Sequence, residues 1–249
     1  MFFMAVKWIP KRLVELSLIN VAAATGKLFV DTCEAEYQAR IEAAADAVLE
    51  SGRHLVMLTG PSGSGKSTSL RNFAPDEIGV LNVAGKPLPF RSDIRVADNA
   101  TYQTIQKVLR ANNMRAYAID DSQYLMGFEE MDSTKTGFEK FNSIGFNFIG
   151  LVRSIATMTD RDTIVYFLHH TEMGDDGRIK AKTLGKLIDN HYTLEGLFSV
   201  VLMVDGDAKR HYFVTNSDGS NTCKSPIGMF DQPQIDNDLR MVDGIIREY

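Results

Sequence analysis

The chain has 249 residues, of which 44% are hydrophobic and 24% are charged, and its formal net charge is −5 at pH 7. A chain of this length and composition buries a sizeable hydrophobic core, which excludes collagen-like, disordered and disulfide-scaffold proteins. The mildly acidic balance supplies no overall attraction for nucleic acid, although a local basic segment can still bind it.

Cysteine content and the start of the chain bear on the cellular compartment. The two cysteines, Cys33 and Cys223, form no CxxC pair and suit a reducing environment. The apolar start is interrupted by Lys7, Lys11 and Arg12, well short of a secretory core or a membrane span. We therefore expect a cytoplasmic protein with no membrane partner.

Residues 1–52 are expected to form a partly helical N-terminal extension. Residues 33–49 are rich in Ala and Glu, and Gly52 follows, which predicts a helix with a C-terminal stop. No linker composition divides the rest of the chain, so residues 53–249 are expected to form one core domain.

The core domain alternates between strand and helix patterns. Apolar runs predict buried strands over residues 54–59, 78–83, 115–119, 163–168 and 199–204. Helical spacing predicts one helix around residues 102–109 and a longer, Phe-rich one from Phe138 to Ile155, whose apolar stripe is typical of a core. Residues 205–215 predict a hairpin. We expect an α/β fold with a mostly parallel central sheet, helices on both faces and a C-terminal hairpin.

A phosphate-binding motif directly follows the first predicted strand. The pattern G-x-x-x-x-G-K-[ST] is matched by Gly60, Pro61, Ser62, Gly63, Ser64, Gly65, Lys66, Ser67 and Thr68. Glycines allow successive backbone N–H groups to surround a β-phosphate, and a helix-compatible stretch behind the motif presents its positive end to the same anion. Lys66 is expected to bridge the β- and γ-phosphates, and the Ser67 hydroxyl to bind Mg²⁺.

Polar residues at the ends of two later strands complete the expected site. Asp120 and Asp121 end one apolar run, and we expect Asp120 to hold Mg²⁺ directly or through water. Two roles stay open for Asp121: orienting the attacking water, or capping the next helix. His170 and Thr171, after the following strand, are candidates to touch the γ-phosphate. Zinc binding by His169 and His170 is disfavoured, because neighbours on an extended chain point to opposite faces.

A basic segment, Arg178 to Lys186, follows the strand that precedes His170. It contains Arg178, Lys180, Lys182 and Lys186 within nine residues. Three interpretations stay open: a solvated loop, a contact with single-stranded DNA, or a lysine that reaches the nucleotide of a neighbouring subunit.

Several motifs together resemble a family of proteins. They are the phosphate-binding motif of residues 60–68, called the phosphate loop below, residues 119–124, the Phe-rich helix, and residues 167–172, 182–189, 194–198 and 225–239. The resemblance therefore spans roughly residues 54–240. The family is that of phage-encoded AAA-type ATP-binding proteins with a RecA-like P-loop core. Single-domain phage recombination and annealing ATPases are close relatives.

The resemblance implies ATP with Mg²⁺ as cofactors and ATP hydrolysis by a homo-oligomer in the host cytoplasm. It further implies a role in phage DNA replication, recombination or annealing on single-stranded DNA, with a single-strand-binding or replication protein as a partner. Lys66, Ser67 and Asp120 carry over directly, and His170 carries over as a γ-phosphate sensor. Residues 2–5 also match the Phe-x-x-Ala pattern with which some relatives dock on a neighbouring subunit.

One departure from the family lowers the expected rate of hydrolysis. RecA-like proteins usually place a catalytic Glu after the second core strand, whereas residues 78–83 end without one and Lys86 follows. A nucleotide-gated assembly module with negligible turnover therefore stays open as an alternative. A small-molecule kinase is disfavoured, because 59 residues precede Gly60 and no Arg-rich lid is evident.

Overall fold

The computed structural model describes residues 55–134, 137–184, 193–207 and 209–249. The expected N-terminal extension, with its helix over residues 33–49 and the motif at residues 2–5, lies outside these residues, and so does Lys186. Among the described residues, no helix is long and apolar enough to cross a membrane.

The described part of the chain alternates strands with helices, as expected. Its strands are β1 (Leu55–Gly60), β2 (Ile78–Asn82), β3 (Arg95–Asp98), β4 (Ala116–Asp120), β5 (Ile164–Met173), β6 (Ile179–Ala181), β7 (Val200–Gly206), β8 (His211–Val214) and β9 (Gln234–Asp236). Its α-helices are α1 (Tyr102–Ala111), α2 (Tyr124–Asp132), α3 (Gly137–Met158) and α4 (Leu239–Glu248), and 3₁₀ helices span Ser67–Asn72 and Leu194–Leu197.

The central sheet has the strand order β3-β2-β4-β5-β1-β7-β8-β9. The first six strands of this order pair in parallel, whereas β7, β8 and β9 pair antiparallel. The expectations of a mostly parallel sheet and of a C-terminal hairpin, formed by β7 and β8, are confirmed. Strand β1 lies between β5 and β7, so the phosphate loop leaves the sheet near its centre.

Two hydrophobic clusters cover the two faces of the sheet. Alternate residues of one strand enter different clusters, as Met57 and Leu58 of β1 do, because successive side chains of a strand point to opposite faces. Helices α1, α2 and α3 pack in the first cluster, where Phe148 of the Phe-rich stripe is fully buried. Helix α4 and Leu70 of the first 3₁₀ helix belong to the second cluster.

The structure corrects the expectation of a helix behind the phosphate loop. That segment is a 3₁₀ helix of six residues, Ser67–Asn72, and Phe73 after it is extended, with ψ at 141°. Pro75 follows closely, and proline disfavours helical backbone in the residue before it. The segment is therefore too short to add the dipole of a full helix to the site.

Strand β5 is longer than the strand predicted over residues 163–168, because the polar residues that follow residue 168 also belong to it. Strand β5 continues to Met173 because its last residues pair antiparallel with β6, Thr171 lying opposite Ala181. The basic segment is therefore part of a β-hairpin rather than a loop throughout. Elements β3, β6, β9 and α4 were not expected from the sequence, and α2 was considered only as a helix that Asp121 would cap.

Candidate nucleotide-binding site

Glycines shape the loop between β1 and the first 3₁₀ helix. Gly63 and Gly65 have φ values of +79° and +98°, which side chains with a Cβ rarely adopt. A Cβ on Gly60 would lie 2.6 Å from the Ser64 hydroxyl oxygen and 3.1 Å from the Val204 carbonyl oxygen. The loop is therefore tightly folded and depends on glycine at these positions.

Lys66 turns its ammonium group back into the loop. Its Nζ donates to the carbonyl oxygens of Gly60 and Pro61, both at 2.9 Å. Only 5% of the residue is exposed, and burial lowers its pKa to about 8, although Asp121 and Asp120 favour the charged form. The loop thus encloses a positive charge, and the surrounding protein groups compensate only in part for the loss of its hydration.

Ser64, within the same loop, has an unused hydroxyl group. Its oxygen is buried and has no hydrogen-bond partner in the described part of the chain. A buried hydroxyl without a partner is destabilising, so a ligand that offers it a hydrogen bond would bind favourably.

Ser67 and Asp120 meet across the end of β5. The Ser67 hydroxyl donates to Oδ1 of Asp120 at 2.9 Å, and the backbone N–H of Asp121 donates to the same oxygen at 3.1 Å. Asp120 is buried, and burial together with the neighbouring Asp121 carboxylate raises its pKa. A cation near this carboxylate would relieve both effects.

Asp121 contacts two basic side chains beside Asp120. Its Oδ2 lies 2.6 Å from the Lys86 ammonium, and its Oδ1 lies 3.2 Å from Nε2 of His170. Burial is the largest influence and raises the pKa of Asp121, but hydrogen bonds from His170 and Lys86 outweigh it and hold the pKa at about 2. The N-cap of α2 is Gln123, so Asp121 is not the capping residue that the sequence left open.

His169 and His170 face opposite sides of β5, as expected for neighbours in a strand. His169 is fully buried between the Ser122 hydroxyl at 2.8 Å and the carbonyl oxygen of Lys182 at 2.7 Å, and burial lowers its pKa to about 4. His170 faces Asp121, and Gln123 accepts a hydrogen bond from its backbone N–H. Of the two candidates for the γ-phosphate, His170 therefore adjoins the phosphate loop, whereas Thr171 pairs with β6.

These groups surround a cavity of about 310 Å³. Its lining comprises Ser62, Gly63, Gly65, Lys66, Ser67, Thr68, Asn82, Lys86, Pro87, Pro89, Asp120, Asp121, His170 and His211. The structure therefore brings together the phosphate loop, both aspartates and His170. No local pattern indicates a role for Asn82 or His211, and Lys86 stands out along the chain only as a departure from a family pattern. The placement of all three depends on strand order.

The C-terminal segment supports the phosphate loop from outside. The Asn237 side-chain amide donates to the carbonyl oxygen of Gly65 at 3.3 Å, and Arg71 donates to the carbonyl oxygen of Asn237 at 2.6 Å. Arg240 forms two hydrogen bonds of 2.8 Å with Glu77. Residues near the end of the chain thus hold the short 3₁₀ helix in place.

The described part of the basic segment carries local ion pairs. Lys180 lies 3.5 Å from Glu172 of the adjacent strand, and Arg178 lies 3.7 Å from Asp176. Neither residue lines the cavity, so they do not touch the expected γ-phosphate position in this structure.

Comparison with known proteins adds no family assignment. Neither a protein-family model nor a curated protein sequence matches the chain. Within the described residues, no group of three or more His, Cys, Asp or Glu side chains is arranged to hold a metal ion.

Proposed function

We propose that this chain binds ATP with Mg²⁺ at the Gly60–Thr68 loop and hydrolyses it slowly. We further propose that it acts as a homo-oligomer on single-stranded DNA during phage DNA recombination, annealing or replication. The nucleotide proposal is carried by one observation: the buried Lys66 ammonium lies inside a glycine-dependent loop, next to the Ser67–Asp120 pair. The DNA role is supported by the resemblance alone.

Phosphate is the ligand chemistry that suits this loop. It is an anion, so it would satisfy a lysine whose burial disfavours its charge, and its oxygens would accept a hydrogen bond from Ser64. Positive φ at Gly63 and Gly65 supports a conformation in which backbone N–H groups converge on one anion.

Mg²⁺ fits the Ser67–Asp120 pair without a larger protein cage. In nucleotide sites this ion usually keeps several waters and binds one or two protein oxygens together with phosphate oxygens. A carboxylate whose pKa is raised by burial and by a second carboxylate favours a nearby cation. Bound there, Mg²⁺ would neutralise phosphate charge, while Ser67 and Asp120 would fix its position.

The groups near the expected γ-phosphate favour slow hydrolysis. Both carboxylate oxygens of Asp121 already have partners, and a pKa of about 2 makes this group a weak proton acceptor at neutral pH. Asp121 is therefore better suited to orienting His170 than to removing a proton from water. The same observation supports the alternative of a nucleotide-gated assembly module with negligible turnover.

Replacing Lys66 with alanine tests the nucleotide proposal. We expect Lys66→Ala to fold, because the change removes a poorly solvated charge, and to lose ATP binding by at least about tenfold, since a charge-assisted hydrogen bond to phosphate is lost. Affinity for a fluorescent ATP analogue measures this loss, with Lys107→Ala on the exposed face of α1 as the control. Unchanged affinity in Lys66→Ala would refute the site.

Turnover, measured with and without single-stranded DNA, separates the two functions. A DNA-associated ATPase should release phosphate at a rate that depends on Lys66 and rises with DNA. An assembly module should bind ATP with the same dependence on Lys66 and release no phosphate above background.

A further inference from the structure

Lys86 occupies a rigidly built position at the edge of the cavity. Asn82, which is buried at the end of β2, donates to the carbonyl oxygen of Lys86 at 2.6 Å and to Asp98 at 2.7 Å. Gly85 has φ at +65°, and a Cβ there would overlap the Asn99 side chain. Pro87 restricts the backbone on the other side. The backbone of Lys86 is therefore fixed.

The side chain of Lys86, by contrast, is largely exposed to solvent. It is 61% exposed, whereas the Asp121 side chain with which it pairs is 8% exposed. Beyond Asp121, its ammonium lies 5.8 Å from the centre of the Tyr124 ring. A flexible lysine on a fixed backbone can exchange one anionic partner for another without rearranging the loop.

Lys86 and Asp121 line the same cavity as the phosphate loop. A triphosphate in that cavity brings several negative charges towards Asp120 and Asp121, and Lys66 is the buried cation that meets them. Lys86 is a second cation within reach of this cavity. An ammonium group cannot accept a proton from water, but it binds a phosphate oxygen well.

We infer that Lys86 senses the terminal phosphate: it pairs with Asp121 when that phosphate is absent and moves to the phosphate oxygen when a nucleoside triphosphate binds. This inference rests on the proposed nucleotide function and specifies how the site distinguishes ATP from ADP. The exchange leaves Oδ2 of Asp121 open to accept a hydrogen bond from water, while Oδ1 stays near His170. Asp121 then has a way to position water only after the triphosphate has bound.

The same exchange reaches the surface through α2. Tyr124 lies between Lys86 and Phe128, with its ring stacked at 5.6 Å on that of Phe128, which is 42% exposed. Its ring also meets His170 edge-on at 5.8 Å. Departure of the Lys86 cation therefore changes the surroundings of an aromatic pair that leads from the cavity to an exposed helix face.

Nucleotide affinities test the inference without relying on turnover. We expect Lys86→Ala to weaken binding of a non-hydrolysable ATP analogue by about tenfold or more, the loss typical of a charge-assisted hydrogen bond. Binding of ADP should change less than about twofold, because ADP lacks the terminal phosphate. Lys86→Arg, which keeps the charge, should retain most of the preference for the ATP analogue, and Lys107→Ala should match the wild-type protein.

The outcomes distinguish this inference from the proposed function. Failure of the wild-type protein to bind either nucleotide overturns both. Binding that depends on Lys66, together with an unchanged ATP-to-ADP preference in Lys86→Ala, overturns only the role of Lys86. Equal losses for both nucleotides in a folded Lys86→Ala protein also overturn it, because they indicate a general effect on the loop. Folding is checked by circular dichroism and by the thermal unfolding midpoint.

Discussion

Lys66 carries a buried positive charge that destabilises the folded protein. Its pKa is about 8, compared with 10.5 for an ordinary lysine, mainly because burial removes water from the ammonium. This difference corresponds to roughly 3 to 4 kcal/mol at most, because one pKa unit equals about 1.4 kcal/mol. Phosphate binding would recover part of this free energy, which links stability to affinity at one residue.

The pH dependence of unfolding should report this charge. Below pH 8 the lysine is protonated in both the folded and unfolded states, and its full unfavourable contribution is present. Between about pH 8 and 10.5 the folded state loses the proton first, so the unfolded state binds more protons and stability rises with pH. We therefore expect Lys66→Met to be more stable than the wild-type protein at pH 7, with a difference that shrinks towards pH 10.5.

Urea unfolding at several pH values between 7 and 10.5 measures this difference. Comparing Lys66→Met with the wild-type protein cancels the titration of other lysines and tyrosines, which both proteins share. A difference that stays constant over this range would contradict the buried charge.

At the scale of residues, the sequence predicted the parts of the site that follow a local pattern. The phosphate loop, Asp120 and Asp121 were found because glycine spacing and an apolar run ending in acids are visible along the chain. The pairing of Asp121 with Lys86 could not be predicted in this way. These residues are 35 positions apart and meet only when β2 pairs with β4. Polar pairs set by strand order have no local signature.

At the scale of elements, buried strands were easier to predict than the segments that pair with them. Strands β1, β2, β4, β5 and β7 are apolar runs buried on both faces, which sequence periodicity detects. The three residues of β6 form a strand only because the end of β5 lies beside them. Helix α4 is amphipathic, and its role became visible only from the contact of Arg240 with Glu77 and from that of Asn237, just before the helix, with Gly65 of the phosphate loop.

The hairpin of β5 and β6 joins the strand of His170 to the basic segment. Substitutions in this hairpin therefore test whether the basic segment contacts DNA. If Lys180 and Lys182 contact single-stranded DNA, reversing both charges should abolish ATP-dependent binding and leave basal hydrolysis unchanged. Each lost phosphate contact should also reduce the salt dependence of binding by roughly 0.7 in logarithmic slope.

Fluorescence anisotropy with labelled oligonucleotide at several salt concentrations measures this effect. Reversal of Lys107 and Arg110 is the matched control, because it changes net charge equally at exposed positions of a different element, α1. If both double variants bind DNA as the wild-type protein does, the hairpin is not the DNA-binding element.

At the scale of the whole molecule, a neighbouring subunit in the proposed homo-oligomer would complete the cavity from its exposed rim. Lys86 and His211 at its rim are exposed, and the described residues supply Lys66, Lys86, His170 and His211 as the basic groups that line it. A triphosphate with one Mg²⁺ still carries net negative charge, which a cation from an adjacent copy would balance. ATP should then favour assembly, because it attracts groups on both sides of the interface.

We therefore expect ATP with Mg²⁺ to shift the chain from monomer to oligomer, as measured by sedimentation velocity with ATP, with ADP and without nucleotide. Deletion of residues 1–9, which contain the Phe-x-x-Ala match, should weaken assembly and leave nucleotide affinity unchanged, because the residues assigned to the proposed site lie between Gly60 and His211. Lys66→Ala should abolish the ATP-dependent shift through loss of the ligand itself. A full-length protein that stays monomeric in saturating ATP and Mg²⁺ would contradict assembly, and the site would then act within one chain.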